Sequence, residues 1–299
     1  MQRHSCAARV AIDRPSHATV TSESTRTRVG DAILADMDPR SQTPHTPYSV
    51  IVAGSGPALL LVPGMGGRAN FAPVMEALAA EHTVIAPEYP GIGGTPTAEE
   101  PLSIDGMAES LAATATGAGV ERFTLVGFSM GTLVATRLAA RFPERVDGVV
   151  LTSALARPDN RVQLFIDIVQ SLVRRGDVEG MARFTALCGF GPDIINGLGV
   201  AELGGFLKQL EAGVDPCALE ITEVVRTADV TADLARIAKP TLVVDALRDV
   251  LVTTAHTREL AAGIAGAEYA EIDAGHVVLA ERPAEWLETV SRFLTERKL

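Results

Sequence analysis

Cysteine is scarce in this chain of 299 residues, which contains only Cys6, Cys188 and Cys217. Cysteines so few and so far apart cannot form a disulfide framework, and none of them lies in a spacing typical of a metal site. Because free cysteine is usually buried, we expect Cys188 and Cys217 to be small core residues. The scarcity of cysteine is consistent with a reducing compartment.

Long apolar runs are also missing. The chain has no run of about 18 consecutive apolar residues, the length that a membrane-spanning helix requires. Residues 1–27 are rich in Ser, Thr, Arg and Ala and lack the apolar core of a secretory signal, while Asp13 and Glu23 are atypical of a transit peptide. We expect this segment to be disordered, because it offers little apolar surface to bury, and we expect the protein to be cytoplasmic.

Positive charge is outnumbered, with 26 Lys and Arg against 37 Asp and Glu and a formal net charge of −11. Without a basic excess to neutralise phosphates, neither nucleic acid nor an anionic membrane surface is expected as a partner. The length suits one domain with an insertion better than two domains. A hydrophobic content of 47% fits a buried parallel sheet, whose strands are apolar on both faces.

Strand-like and helix-like segments alternate along most of the chain, which predicts an α/β fold with a mainly parallel central sheet flanked by helices. The predicted strands are Tyr48–Ala53, Ala58–Val62, Thr83–Ala86, Phe123–Val126, Val146–Thr152, Thr241–Asp245 and Ala267–Ile272, and the predicted flanking helices are Phe71–Ala80, Ser103–Gly117, Thr132–Phe142 and Pro283–Arg297. Only the turn residues 54–57 separate the first two strands, so we expect these strands to be neighbours. The Pro-rich segment 38–47 is expected to be an extended loop after an early edge strand.

The alternation stops from Arg157 to about Val230, where the pattern is helical throughout. Val162–Arg174, Val178–Leu187 and Glu202–Ala212 each carry apolar residues at a spacing of about 3.6. Links with Gly and Pro separate them. This region therefore predicts a helical insertion between two strands of the sheet.

The most informative stretch is Gly127-Phe128-Ser129-Met130-Gly131, a G-x-S-x-G motif between a strand pattern and a helix pattern. Glycine at both ends allows an abrupt strand-to-helix turn, because a Cβ there would collide with neighbouring backbone. A serine on such a turn projects its Oγ from the sheet and can act as a nucleophile when a base accepts its proton. Alone the motif is weak, since a serine beside glycine is commonly a turn residue.

The base that fits this serine best is His276, which follows a glycine after the last predicted strand. His82, just before a strand, and His256, at the start of a helix, are more typical of exposed or structural residues. His4, His17 and His45 fall in the N-terminal part.

A carboxylate that could orient the histidine is expected between the serine and the histidine in the chain. Asp249 and Asp245 are both possible there, and Asp273 is a third alternative. The order serine, acid, histidine distinguishes one triad-bearing scaffold from the others.

A glycine-rich loop, Gly64-Met65-Gly66-Gly67, follows the predicted strand Ala58–Val62. Such a loop can direct a backbone N–H at the carbonyl oxygen that the serine would attack. The alternative is a tight turn without a functional role.

With these parts in this order, the chain resembles the α/β-hydrolase family from about Arg28 to the C-terminus. It is most similar to the small single-domain esterases, enol-lactonases and perhydrolases. The resemblance implies an α/β-hydrolase domain over residues 28–299, with a helical cap at about residues 157–230 inserted after strand 6. Gly275-His276 followed by Glu281 and Pro283 is similar to the family's histidine loop and the start of its last helix.

Two positions depart from the family pattern. An aspartate is usual where Glu88 stands, and the family's oxyanion loop usually begins His-Gly where this chain has Pro63-Gly64. In the resemblance the backbone N–H of Met65 is the functional group of that loop, and the second departure leaves it in place.

The resemblance implies a role for five residues: Ser129 as nucleophile, His276 as base, Asp249 as the acid that orients it, and the backbone N–H groups of Met65 and Met130 as an oxyanion hole. It implies no metal and no organic cofactor. The implied activity is hydrolysis of a carboxylic ester, lactone or thioester of a small molecule through an acyl-enzyme. The alternatives are a lyase, cyclase, perhydrolase or carbon–carbon bond hydrolase on the same fold, and an inactive ligand-binding protein. The oligomeric state stays open.

Overall fold

A computed structural model of the protein describes residues 46–214 and 217–299. The predicted disorder of residues 1–27 and the early edge strand before residue 38 lie outside the described residues. Most of the predicted Pro-rich loop 38–47 does so too.

A seven-stranded sheet forms the centre of the part of the chain that the structure describes. Its strands are β1 (Val50–Ala53), β2 (Ala58–Val62), β3 (Thr83–Pro87), β4 (Phe123–Phe128), β5 (Val146–Thr152), β6 (Thr241–Ala246) and β7 (Glu268–Ile272). The strand order is β1-β3-β2-β4-β5-β6-β7. β1 pairs antiparallel with β3, and every other pair is parallel. The mainly parallel α/β sheet predicted from the sequence is therefore confirmed.

The predicted pairing of the first two strands is wrong. β1 pairs with β3, with Val50 opposite Pro87, and β2 lies between β3 and β4. The linker between β1 and β2 crosses close over the backbone that leads into β3. A Cβ on Gly54, whose φ is +78°, would lie 2.2 Å from the carbonyl oxygens of Ala79 and His82. The glycines thus mark a close backbone crossing and not a hairpin.

Twelve helices surround the sheet within the described ranges, along with one short 3-10 helix at Gly67–Phe71. They are α1 (Ala72–Ala79), α2 (Ile104–Gly117), α3 (Met130–Arg141), α4 (Asn160–Arg174), α5 (Val178–Gly189), α6 (Pro192–Gly197), α7 (Val200–Ala212), α8 (Ala218–Thr227), α9 (Thr231–Leu234), α10 (Thr254–Gly263), α11 (Val278–Glu281) and α12 (Pro283–Arg297).

Two apolar layers cover the two faces of the sheet, because successive strand residues point to opposite sides. On one face Leu60 packs with residues of α2 and α3. On the other face Leu61 packs with residues of α1 and α12, among them the fully buried Trp286. The Trp286 indole N–H donates to Thr152 Oγ1 at 3.0 Å, so its polar edge is satisfied inside the core.

The helices α4 to α9 lie between β5 and β6, which we call the helical insertion. It lies where the helical pattern from Arg157 to Val230 predicted it. β5 is the fifth described strand, and the sixth place implied by the family resemblance counts in addition the early edge strand predicted before residue 38, a prediction that falls outside the described residues. Most side chains of α7 are exposed, whereas α4 buries Val162, Ile166 and Val169.

A close approach of α3 to β2 depends on Gly131. A Cβ there would lie 2.0 Å from the carbonyl oxygen of Val62 and 2.5 Å from that of Pro63. We expect Gly131→Ala to lower the free energy of unfolding by about 1–3 kcal/mol or more, because the helix must move off the strand. Urea unfolding measures the change.

The matched control is Gly204→Ala in α7, where a Cβ would meet nothing within 4 Å. This change should raise the free energy of unfolding by about 0.5–1 kcal/mol, since alanine restricts the unfolded chain. Equal unfolding midpoints for the two variants would contradict the described packing of α3 on β2.

Candidate active site

Ser129 occupies the single residue between β4 and α3, with φ 53° and ψ −126°. A positive φ is strained for any residue but glycine, so neighbouring groups must hold it. The Ser129 N–H donates to the carbonyl oxygen of Thr152 at 3.0 Å, and the Ser129 carbonyl accepts from the N–H of Thr132 at 2.8 Å and from its hydroxyl at 2.6 Å. The strand-to-helix turn predicted from the motif is thus fixed on both sides.

Three of the predicted site residues form one chain of hydrogen bonds. His276 Nε2 lies 2.8 Å from Ser129 Oγ, and His276 Nδ1 lies 2.6 Å from Asp249 Oδ2. A carboxylate only accepts hydrogen bonds, so the imidazole tautomer that satisfies both contacts carries its proton on Nδ1, toward Asp249, and accepts the serine hydroxyl at Nε2. The Asp249 side chain is fully buried and that of His276 is 10% exposed, so solvent competes little with either bond.

The loop after β6 holds the carboxylate of Asp249. Its Oδ1 accepts the backbone N–H groups of Leu251 and Val252, both at 2.8 Å. One carboxylate oxygen thus accepts hydrogen bonds from the loop, and the other oxygen contacts His276. Charge-assisted bonds of this kind fix the side chain in one orientation.

Two residues that the sequence analysis did not single out position His276. Its ring lies over the ring of Phe128, with centroids 5.4 Å apart, and its carbonyl oxygen accepts from Ser153 Oγ at 3.1 Å. Phe128 is the second residue of the G-x-S-x-G motif, so its proximity to Ser129 could have been inferred. Ser153 directly follows β5, and only the strand order brings it to this place.

The two alternative acids have other partners. Asp245 is fully buried and accepts from the Tyr269 hydroxyl at 2.7 Å. Asp273 pairs with the guanidinium of Arg248, which lowers the pKa of that carboxyl through its hydrogen bonds. Of the three aspartates, it is Asp249 that lies against the histidine.

Two histidines judged exposed or structural from the sequence are both buried. His256 lies at the start of α10, where its Nδ1 accepts the Thr253 N–H at 3.1 Å, which is a structural contact. His82 is 8% exposed. His4, His17 and His45 lie outside the described residues.

The two described cysteines differ in burial. Cys217 is buried as expected, whereas Cys188 is only half-buried.

The glycine-rich loop after β2 lies against Ser129. A Cβ on Gly64 would come within 3.1 Å of the Ser129 Cβ, and Met65 is the next residue. Met130 is the first residue of α3, so its backbone N–H has no acceptor within the helix. The loop of Met65 and the helix terminus at Met130 thus both adjoin Ser129, and their part in an oxyanion hole stays a prediction.

The segment after β3 supports this glycine-rich loop. The Tyr89 hydroxyl donates to the carbonyl oxygen of Pro63 at 2.9 Å, and Glu88 Oε1 accepts the backbone N–H of Arg68 at 2.9 Å. Glu88 also forms an ion pair with the Arg68 side chain at 3.1 Å. Burial raises the pKa of Tyr89 well above its ordinary value, so its hydroxyl keeps the proton that it donates. The loop therefore has support even though Pro63 and Glu88 depart from the family pattern.

Within the ranges 46–214 and 217–299, no three His, Cys, Asp or Glu side chains are grouped as a metal site would require. None of the helices in these ranges is long and apolar enough to cross a bilayer.

Comparisons with known proteins agree on one family. A family model for the alpha/beta hydrolase fold matches residues 57–191. The chain is 33% identical over 251 residues to the pyrrolizixenacetamide deacetylase of Xenorhabdus hominickii, covering 82% of this chain and 94% of that protein. It is 32% identical over 253 residues to a RutD protein of Azorhizobium caulinodans that is named as a carbamate hydrolase, covering 82% of this chain and 94% of that protein. Among solved structures, the enol-lactonase from Burkholderia xenovorans LB400 has a TM-score of 0.74 at 25% identity, covering 84% of this chain and all of that one.

The fold and the names of the relatives together support a hydrolase-type enzyme. The chain belongs to the α/β-hydrolase family.

The support of the glycine-rich loop can be tested at Tyr89. We expect Tyr89→Phe to lower the free energy of unfolding by about 1–3 kcal/mol, because the buried carbonyl of Pro63 loses its donor. Chemical denaturation measures this loss. An unchanged unfolding midpoint would mean that water or another group replaces the hydroxyl and that Tyr89 does not support the loop.

Proposed function

We propose that this protein is a serine hydrolase that cleaves a carboxylic ester, lactone or thioester of a small molecule through an acyl-enzyme. The observation that carries the proposal is the unbroken line of hydrogen bonds from Ser129 through His276 to Asp249, with separations of 2.8 and 2.6 Å. A buried base in contact with both a serine hydroxyl and a carboxylate is the arrangement that activates a serine.

In the proposed reaction, Ser129 Oγ attacks the carbonyl carbon while His276 Nε2 takes the hydroxyl proton. The carboxylate of Asp249 stabilises the imidazolium that forms and holds its Nδ1–H. His276 then gives the proton to the leaving group, and the acyl group stays on Ser129. Water, deprotonated by the same histidine, releases the acid and restores the serine.

The developing oxyanion would be held by the backbone N–H groups of Met65 and Met130. Two features support this: the closeness of Gly64 to Ser129, where an added Cβ would lie 3.1 Å from the serine Cβ, and the position of Met130 at the start of α3. Donors fixed in advance by backbone cost no reorganisation during the reaction. The positive end of the helix dipole at Met130 favours the same negative charge.

The names of the relatives support an acyl substrate. A deacetylase, a protein named as a carbamate hydrolase and an enol-lactonase all imply chemistry at a carbonyl carbon. The helical insertion would act as a cap that selects the substrate and limits the entry of water. The acidic composition and the scarcity of cysteine support a cytoplasmic site of action.

The test of the proposal is a set of p-nitrophenyl esters of increasing chain length, lactones, acyl thioesters, N-acetyl amides and carbamates, together with labelling by a fluorophosphonate. Turnover of at least one acyl class and labelling at Ser129 are expected. Failure of the native protein to label would favour a ligand-binding protein instead.

We expect Ser129→Ala and His276→Ala each to lower turnover by about ten-thousandfold or more, and the double variant to be little worse. The reason is that nucleophile and base act as one unit, so removing the second adds little. Steady-state kinetics on the best substrate of the set measures the losses. Multiplicative losses in the double variant would contradict a shared mechanism.

We expect Asp249→Asn to lower turnover by about three to four orders of magnitude, because the amide keeps the shape but removes the charge that stabilises the imidazolium. Asp245→Asn and Asp273→Asn are matched controls, since those carboxylates contact Tyr269 and Arg248 instead. Both controls should cost much less activity. If Asp245→Asn were the crippling change, the acid would be misassigned.

A further inference from the structure

The helical insertion contacts the loop that carries His276 through a short segment made of the last residue of α5 and the two residues between α5 and α6. In this segment the carbonyl oxygen of Gly189 accepts the N–H of Val277 at 2.9 Å. Two residues further on, the N–H of Gly191 donates to Glu281 Oε1 at 2.9 Å. The insertion is thus tied to the residues on either side of His276 and not to the sheet alone.

Glu281 binds both sides of this contact. While its Oε1 accepts from Gly191 in the insertion, its Oε2 accepts from the N–H of Gly275 at 3.1 Å. Gly275 directly precedes His276. One carboxylate therefore joins the insertion to the backbone of the proposed base, with one oxygen for each.

Glycine makes this joint possible. A Cβ on Gly275 would lie 2.4 Å from the Gly191 nitrogen and 2.6 Å from Glu281 Oε1. A Cβ on Gly191 would lie 2.9 Å from Glu281 Oε2. The two backbone segments and the carboxylate are packed so closely that Gly275 cannot move without moving Glu281.

We propose that Glu281 is a positioning residue for His276, which it holds in place by bridging the N–H groups of Gly275 and Gly191. This inference rests on the proposed function, because it assigns Glu281 to the same serine-hydrolase site. Hydrogen bonds to an ionised acceptor are stronger than neutral ones, and here two of them act on one loop. A shift of about 1 Å in a reacting group can lower a rate by about a hundredfold, so a loosened His276 loop reduces activity even if the fold survives.

A second contact between the insertion and this edge of the sheet provides a matched control. Arg248, next to Asp249, pairs with Asp273 and with Asp193 of α6. Asp193→Asn removes a charge from the insertion close to Gly191 but leaves the two bonds of Glu281 intact. Glu285→Gln removes a charge from an exposed glutamate of α12.

The experiment measures the rate of fluorophosphonate labelling and the steady-state kinetics of a small ester for the wild type, Glu281→Gln, Glu281→Ala and the two controls. Glu281→Gln keeps the size of the side chain but turns an amide N–H₂ toward one of the two N–H donors. We expect it to lower the labelling rate and kcat by about tenfold to a hundredfold, with little change in KM. The two controls should stay close to the wild type.

Glu281→Ala adds a rescue arm that does not depend on Glu281→Gln folding. The deletion leaves two N–H donors facing a space into which a small carboxylate fits. Added formate should restore part of the labelling rate of Glu281→Ala, while chloride at the same ionic strength should not. Formate should leave the rates of the wild type and the two controls unchanged.

The outcomes separate the two proposals. If the wild type is labelled and turns over ester but Glu281→Gln does so at the same rate, the role of Glu281 is overturned and the proposed function stands. An equal loss in Glu281→Gln and Asp193→Asn, or no effect of formate on Glu281→Ala, also overturns it. If the wild type is not labelled, the proposed function fails and the inference fails with it.

Discussion

The backbone of Ser129, held at a φ of 53°, is the constraint on which the rest of the site depends. A non-glycine residue in this conformation costs about 1–3 kcal/mol, which the surrounding hydrogen bonds must offset. The strand β5 supplies one of them through the carbonyl of Thr152, and α3 supplies the others through Thr132. Because α3 also presses on β2 at Gly131, the same turn determines how closely the helix approaches the glycine-rich loop.

The end of β5 connects the parts of the site that the chain supplies separately. Thr152 accepts from the backbone of Ser129 through its carbonyl and from Trp286 through its hydroxyl, and the next residue, Ser153, donates to the backbone of His276. In a parallel sheet the carboxyl ends of all strands meet at one edge, so residues far apart in the chain come together there. β5 lies between β4, which leads into Ser129, and β6, which leads into the Asp249 loop. It thus aligns the serine and the histidine, although none of its own residues takes part in the proposed chemistry.

The sequence was most predictive where a pattern is local. The helix Pro283–Arg297 and the strand Val146–Thr152 have the predicted bounds, because the apolar residues of each element follow a local pattern and Pro283 marks the start of the helix. Ser129 and His276 could be named because the motif and the chain order restrict where they lie. Chain order left Asp245 and Asp273 open beside Asp249, and it was the family resemblance that implied Asp249. The partner of β1 could not be predicted, since the glycines of residues 54–57 are equally compatible with a hairpin and with a crossing. The contacts of Ser153 and Glu281 could not be predicted from the sequence either, because they depend on which loops lie next to each other in the folded chain.

Two glutamates hold the two loops next to Ser129 in the same way. Glu88 accepts a backbone N–H of the loop after β2, and Glu281 accepts a backbone N–H of the loop after β7. In each loop a glycine makes the approach possible, since a Cβ on Gly67 would lie 2.0 Å from Glu88 Oε1 and one on Gly275 would lie 2.6 Å from Glu281 Oε1. A carboxylate that accepts a backbone N–H does not depend on the side chains of the loop. The loop can therefore contain glycines, which allow it to lie close to the serine. The departure at Glu88 fits this scheme, because its carboxylate binds both the backbone and the side chain of Arg68. Support of the loop therefore does not require the usual His-Gly beginning.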